Sequence, residues 1–183
     1  MTDGSTRGAT APETDPSCDV AHGRARPEDS DRALVAVFAS PVAGYLLPYA
    51  RDLGYRSILL EPDAAALAEW AGRFEAFERV TGVPELNGST DVVVTDHHRP
   101  ELGPVLRDVL AGKARWVGVL GNPRHPAPHV SALAGLGVAE TDIARVHRPI
   151  GLNIGSRTPA EIAMATLAGL LADRNGRPGG FEF

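Results

Sequence analysis

From Ala33 onward, short apolar runs alternate with longer segments of helical period, and this alternation restricts the fold more than any other feature of the chain. Such runs suit strands buried on both faces, as in a parallel sheet. Strands are expected at Ala33 to Phe38, Arg56 to Glu61, Asp91 to Thr95 and Arg115 to Leu120, with room for a short one near Ala76 to Val80. Between them, Ser40 and Pro41 open a helix that reaches about Leu53, with Pro48 expected to kink it. Asp63 caps a second helix to about Ala71. Further helices are expected at Glu101 to Ala111, Pro128 to Gly135 and Glu140 to Val146. The last runs from Pro159 to about Ala172 behind a Thr158/Glu161 capping box. The expected architecture is α/β: a Rossmann-like, doubly wound, mainly parallel sheet flanked by helices. It forms one domain over residues 33–175, with a disordered tail at 1–32 and a flexible C-terminus at 176–183.

The tail expectation rests on composition. Up to Arg32 there is no Leu, Ile, Phe, Trp or Tyr, and such a segment cannot bury enough apolar surface to offset its ordering entropy. Seven acidic residues against four arginines give it net −3 of the chain's −5, so the remainder is nearly neutral. A near-neutral domain lacks the basic excess that nucleic-acid backbones demand, and no run is long enough to span a bilayer. The leader resembles neither a secretory signal nor a transit peptide, so a cytoplasmic location is expected. Cys18 is the only cysteine and lies in the tail, which excludes an intrachain disulfide and a cysteine-rich zinc site.

In a doubly wound sheet, ligands bind beyond the carboxyl ends of the strands. The first such loop reads Ala-Ser-Pro at 39–41, where a dinucleotide binder would carry its glycines. Pro41 removes an amide donor and Ser40 is a capping candidate. Glu61 stands where an acidic residue would accept from a ribose hydroxyl; a solvated strand-end carboxylate is the competing reading. Asp96, His97 and His98 crowd one turn. They can hydrogen-bond a polar ligand, shuttle a proton or, with a third ligand that the sequence does not nominate, hold a metal; an inert polar turn also explains them. Gly121 opens a turn carrying Arg124, which can reach phosphate or carboxylate or simply face solvent. His125 and His129 have the spacing of a helical metal pair, but Pro126 and Pro128 interrupt it, so no metal site is assigned. Gly151 and Gly155 bracket Asn153 ahead of the last helix, either as a ligand loop or as a structural turn. No Ser-His-Asp or Cys-His constellation emerges.

With these residues in view, the chain resembles the carboxy-terminal Rossmann domain of the XdhC/CoxI family, accessory proteins of molybdenum hydroxylases such as xanthine dehydrogenase and carbon monoxide dehydrogenase. The resemblance runs from about Ala33 to Asp173. It is carried by TDHHRPELGPVL, ARWVGVLGNPR and, above all, IARVHRPIGLNIGSRTPAEIAMATLAGLLA. It implies a chaperone or carrier that binds the molybdenum cofactor for sulfuration or insertion, more a carrier than an enzyme. Its implied partners are the molybdenum hydroxylase apo-enzyme and a cysteine desulfurase, or a separate protein carrying the family's cysteine-containing amino-terminal domain. Carried over by position, the cofactor-binding residues are Ser40, Glu61, Asp96, His97, His98, Gly121, Arg124, Gly151, Asn153 and Gly155. The sequence departs from the family pattern at Ala-Ser-Pro, at the order of Asp96 and the histidines, and at Asn153, which replaces an aspartate. NAD(P) is disfavoured by the lost glycines. A small NAD(P)-dependent oxidoreductase and a ligand-free regulatory protein are the rival readings, and whether the chain forms a homodimer is left open.

Overall fold

The computed structural model describes His22 and residues 31–180 apart from Glu75 and Pro123. The expectation of a disordered tail, and Cys18 with it, lies almost wholly outside the described residues. Of the tail's last residues, the Arg32 carbonyl accepts from the Arg56 amide at 2.8 Å, which extends the pairing of the first two strands by one residue.

Six strands form one sheet, β1 (Ala33–Val37), β2 (Arg56–Leu60), β3 (Glu78–Val80), β4 (Thr90–Val94), β5 (Trp116–Val119) and β6 (Val146–His147). All pair in parallel in the order β3-β2-β1-β4-β5-β6, so the strand order reverses between β1 and β4. The helices are α1 (Ala43–Asp52), α2 (Ala64–Glu69), α3 (Leu102–Ala111), α4 (Pro128–Gly135), α5 (Glu140–Ile143) and α6 (Pro159–Arg174). Alternate residues of a strand feed opposite faces. Val35, Val37, Val92 and Val94 pack with α3, α4 and α5, whereas Leu34, Ala36 and Val93 pack with α1 and α6. Both faces are therefore covered, as the apolar runs require. No helix among the described residues is long and apolar enough to cross a membrane.

Three expectations need correction. The α1 helix begins at Ala43 rather than at Pro41, because residues 41 and 42 form a turn, and Pro48 lies inside it without ending it. The expected helix from Glu140 to Val146 stops at Ile143, and Val146–His147 is instead the edge strand β6. That strand is fixed by distant partners: it pairs with Val117 and Gly118, and the His147 ring stacks on Trp116 at 5.1 Å. The strand expected to include Phe38 ends at Val37, since Phe38 has φ 73° and turns the chain out of the sheet. A bulky residue at positive φ costs roughly 1–3 kcal/mol. Its fully buried ring and a Thr95 Oγ1 donor 2.8 Å from its carbonyl offset that strain.

Candidate functional site

Along the carboxyl edge of the sheet, the β1–β3 half carries a buried ion pair. Glu61, just past β2, is fully buried, and its carboxylate accepts from the Ala39 amide at 2.8 Å and the Asp63 amide at 3.1 Å. Two Arg99 nitrogens donate to the same carboxylate at 2.9 and 3.2 Å, and the guanidinium lies 4.9 Å from the Phe38 ring centroid. Burial overturns the solvated reading of Glu61. Ser40 is similarly occupied: its hydroxyl accepts from the Ala43 amide at 3.1 Å and donates to Thr95 Oγ1 at 2.9 Å, and Thr95 in turn donates to the Val37 and Phe38 carbonyls. Arg73 lies so close over Gly44 that a Cβ there would collide with its guanidinium.

The β4–β6 half is open. A crevice of about 880 Å³ lies between the loops after β4, β5 and β6, with Ile162, Ala165 and Thr166 of α6 forming one wall. Eight of the ten expected residues line it: Asp96, His97 and His98 from the first loop, Gly121 and Arg124 from the second, and Gly151, Asn153 and Gly155 from the third. Ser40 and Glu61 are not among its lining residues.

Each loop has a local reason for its shape. Asp96 Oδ1 accepts from the His98 amide at 2.9 Å, and Asn122 Oδ1 accepts from the Arg124 amide at 2.9 Å, so each turn is closed by its own side chain. The third loop docks on α6 through the Leu152 amide, which donates to the Ala165 carbonyl at 3.0 Å. Gly151 has φ 87°, and a Cβ there would stand 3.0 Å from the Ala165 backbone. At the α6 N-terminus, the Glu161 carboxylate accepts from the Arg157 and Thr158 amides.

Electrostatically the crevice lining brings together one carboxylate, Asp96, one guanidinium, Arg124, and two imidazoles, His97 and His98. Arg124 is exposed, and no carboxylate pairs with it among the described residues. Burial holds the His97 imidazole below its ordinary pKa, with the charges of His98 and Arg148 adding to the effect. The buried His129 is likewise lowered by burial and by Arg148. Among the described residues, no group of three or more His, Cys, Asp or Glu is placed to hold a metal ion. The arrangement therefore suits an anionic organic ligand gripped by a guanidinium, imidazoles and the side-chain amides of Asn122 and Asn153.

Sequence reasoning missed three contributors. Arg99 pairs with Glu61 in the β1–β3 half, Arg148 donates to the Asn122 and His125 carbonyls and so pins the second loop, and Gly169 lets Gly151 approach α6. A Cβ on Gly169 would come within 2.9 Å of the Gly151 Cα. The helical glycine and the arginine after β6 were visible in the sequence, but their partners lie in other segments.

Comparisons with known proteins agree with this fold. A crystal structure from Bacillus halodurans, described as a xanthine dehydrogenase, superposes with a TM-score of 0.64 at 19% identity, covering 83% of this chain and 45% of that one. An uncharacterized Escherichia coli K12 protein, YqeB, is 46% identical over 65 residues, which is 36% of this chain and 12% of YqeB. The chain thus spans less than half the length of either. The family profile of the XdhC Rossmann domain matches residues 34–170, and on that match the chain belongs to the XdhC family.

Proposed function

We propose that this domain is an accessory protein for maturation of a molybdenum hydroxylase of the xanthine dehydrogenase or carbon monoxide dehydrogenase type, and that it binds the molybdenum cofactor as cargo rather than turning over a metabolite. The observation that carries this reading is the division of the carboxyl edge. In the half that grips a nucleotide in a dinucleotide-binding fold, the strand-end acid Glu61 is paired with Arg99, while an open crevice lined by Arg124, which pairs with no carboxylate among the described residues, lies over β4 to β6. Family membership and the structural neighbour described as a xanthine dehydrogenase support the class of partner.

The residues present fit the group. A pterin offers ring N–H and carbonyl groups to Asn122, Asn153 and the imidazoles, and its phosphate pairs with Arg124. Metal ligation is not demanded of the chain, so the grip falls on the organic part. When bound, the cofactor supplies the redox centre of the partner enzyme; this chain's residues bind it, orient it and shield it from water. A cysteine desulfurase, or a protein carrying the family's other domain, would act on the held cofactor, and the cytoplasm is where these components would meet.

The test is purification of the full chain from cells that make molybdenum cofactor, followed by pterin fluorescence after oxidation and metal analysis. Near-stoichiometric pterin and molybdenum are expected. Protein free of both, from cells whose molybdenum enzymes are active, overturns the reading.

A further inference from the structure

Arg99, Arg115 and Arg174 each answer a buried carboxylate, Glu61 or Asp91. Arg148 does not: it is half-buried and pairs with no carboxylate among the described residues. Two backbone carbonyls of the turn after β5 hold its guanidinium, with Nη1 donating to His125 at 3.2 Å and Nη2 to Asn122 at 3.1 Å. Gly121 makes room for it, since a Cβ there would stand 2.4 Å from Arg148 Nε. That nitrogen is itself buried with no hydrogen-bond partner.

On the first turn of α4, His129 is 4% exposed, and its Nδ1 is also buried with no hydrogen-bond partner. Burial and the Arg148 charge together hold this imidazole below its ordinary pKa. The other charged and titratable groups around α4 are engaged elsewhere or face solvent. On the α3 side, Arg107 pairs with Asp108 and Glu101 pairs with Arg99. On the α5 side, Asp142 pairs with Arg145 and Glu140 is exposed. Arg124 and His125 in the turn after β5 are exposed, and His147 stacks on Trp116. The Arg148 charge also acts on His97, whose neighbours are Asp96 and His98.

We infer that Arg148 and His129 form an acid-released latch on the turn after β5. While His129 is uncharged, Arg148 stays tied to the Asn122 and His125 carbonyls. When the imidazole takes up a second ring proton, two positive charges meet where no carboxylate among the described residues pairs with either. Like charges repel more strongly in such a desolvated place than in water. His129 is buried on a helix, whereas Arg148 is half-buried and held by two hydrogen bonds, so the arginine is the group that leaves. It turns to solvent and frees the turn that carries Arg124. His129 is neutral above its lowered value, so the latch opens only as pH falls below about 6.5. It works whatever ligand the crevice takes.

The experiment follows the full chain by NMR from pH 8 to pH 4. It reads the His129 ring, the exchange protection of the Arg148 Nε–H, and that of the His125 amide, which donates to the Asn122 carbonyl. Opening that takes up one proton grows about tenfold per pH unit below the transition, so protection of the Arg148 Nε–H should fall by that factor. The His125 amide should follow it, while the amides of β1 and β4 stay protected. In His129→Gln, whose side chain does not titrate, both reporters should be independent of pH. In Arg148→Met, the His129 transition should move up toward its ordinary value. The latch is overturned if His129 shows no transition in this range, if the reporters do not follow that transition, or if their pH dependence survives in His129→Gln. An unshifted His129 transition in Arg148→Met overturns it as well, and that readout stands if His129→Gln does not fold. Loss of protection in β1 and β4 at the same pH also overturns it, because the acid response is then global unfolding.

Discussion

The two halves of the sheet's carboxyl edge are built from similar parts and end differently. Over β1 to β3, a buried carboxylate and an arginine satisfy each other and the nearby backbone amides. Over β4 to β6, the turns satisfy themselves with Asp96 and Asn122, and Arg124 is left unpaired among the described residues. The difference shows that a strand-end acid or arginine is not a ligand group by virtue of its place in the fold; what matters is whether the chain itself supplies its partner. In this protein Glu61 in the β1–β3 half is held by the chain's own amides and Arg99, and the open crevice lies over the other half.

The sharpest way to break the comparison is to remove Arg99. With the guanidinium gone, the fully buried Glu61 carboxylate keeps only its amide donors, and losing one partner of a buried pair typically costs about 3–5 kcal/mol. Arg99→Ala should therefore lower the melting temperature by roughly 10 °C. A change of only a degree or two would mean that the ion pair is solvated and that the halves are less different than described.

A smaller effect is expected in the open half. In Gly151→Ala, the new Cβ would meet the Ala165 backbone at 3.0 Å in a residue with φ 87°, at a cost of about 1–3 kcal/mol. The third loop should shift off α6, which would show as lost amide-exchange protection at Leu152. Unchanged protection with unchanged stability would dissociate the crevice from that docking contact.

Much of this division was out of reach of the sequence. The strands β1, β2, β4 and β5 were legible to within a residue or so because runs such as LVAV and VVV admit few other environments, and the capping box of α6 was legible because its donors and acceptors are local. The convergence of the loops after β4 and β5 followed from the expected topology, whereas the third loop follows β6, which was read as the end of a helix. By contrast, Glu61 meets Arg99 from 38 residues away, and β6 is two residues long and held by Trp116 and its pairing with β5. Nothing local announces either, so Glu61 looked like a ligand group and Val146 like the end of a helix. Arg148 was hidden in the same way, since its partners are backbone carbonyls of another loop.

The smallest expected effect concerns pH. Burial and neighbouring positive charge lower the His97 imidazole below its ordinary value of 6.5 in the folded state. The unfolded chain therefore takes up its proton first as pH falls. The stability contributed by neutral His97 is present above about pH 6.5 and is lost as pH falls through the folded-state value. In denaturant titrations from pH 8 to pH 5, His97→Asn should flatten part of the decline, with the remainder due in part to His129, which is lowered in the same direction. An identical profile in the variant would place His97 in open solvent.

The most direct test of the central claim compares two arginine deletions, one in each half. Arg124 lines the crevice over β4 to β6, and Arg73 covers Gly44 in the β1–β3 half; both side chains are exposed, so neither deletion should disturb the core. Binding of the molybdenum cofactor to each full-length variant is measured by quenching of intrinsic fluorescence. Loss of a charge-assisted hydrogen bond of about 1.5–3 kcal/mol predicts that Arg124→Ala binds at least tenfold more weakly, while Arg73→Ala binds as the wild type does. The reverse pattern, with Arg73 required and Arg124 dispensable, would contradict the account and return the ligand to the nucleotide half of the sheet.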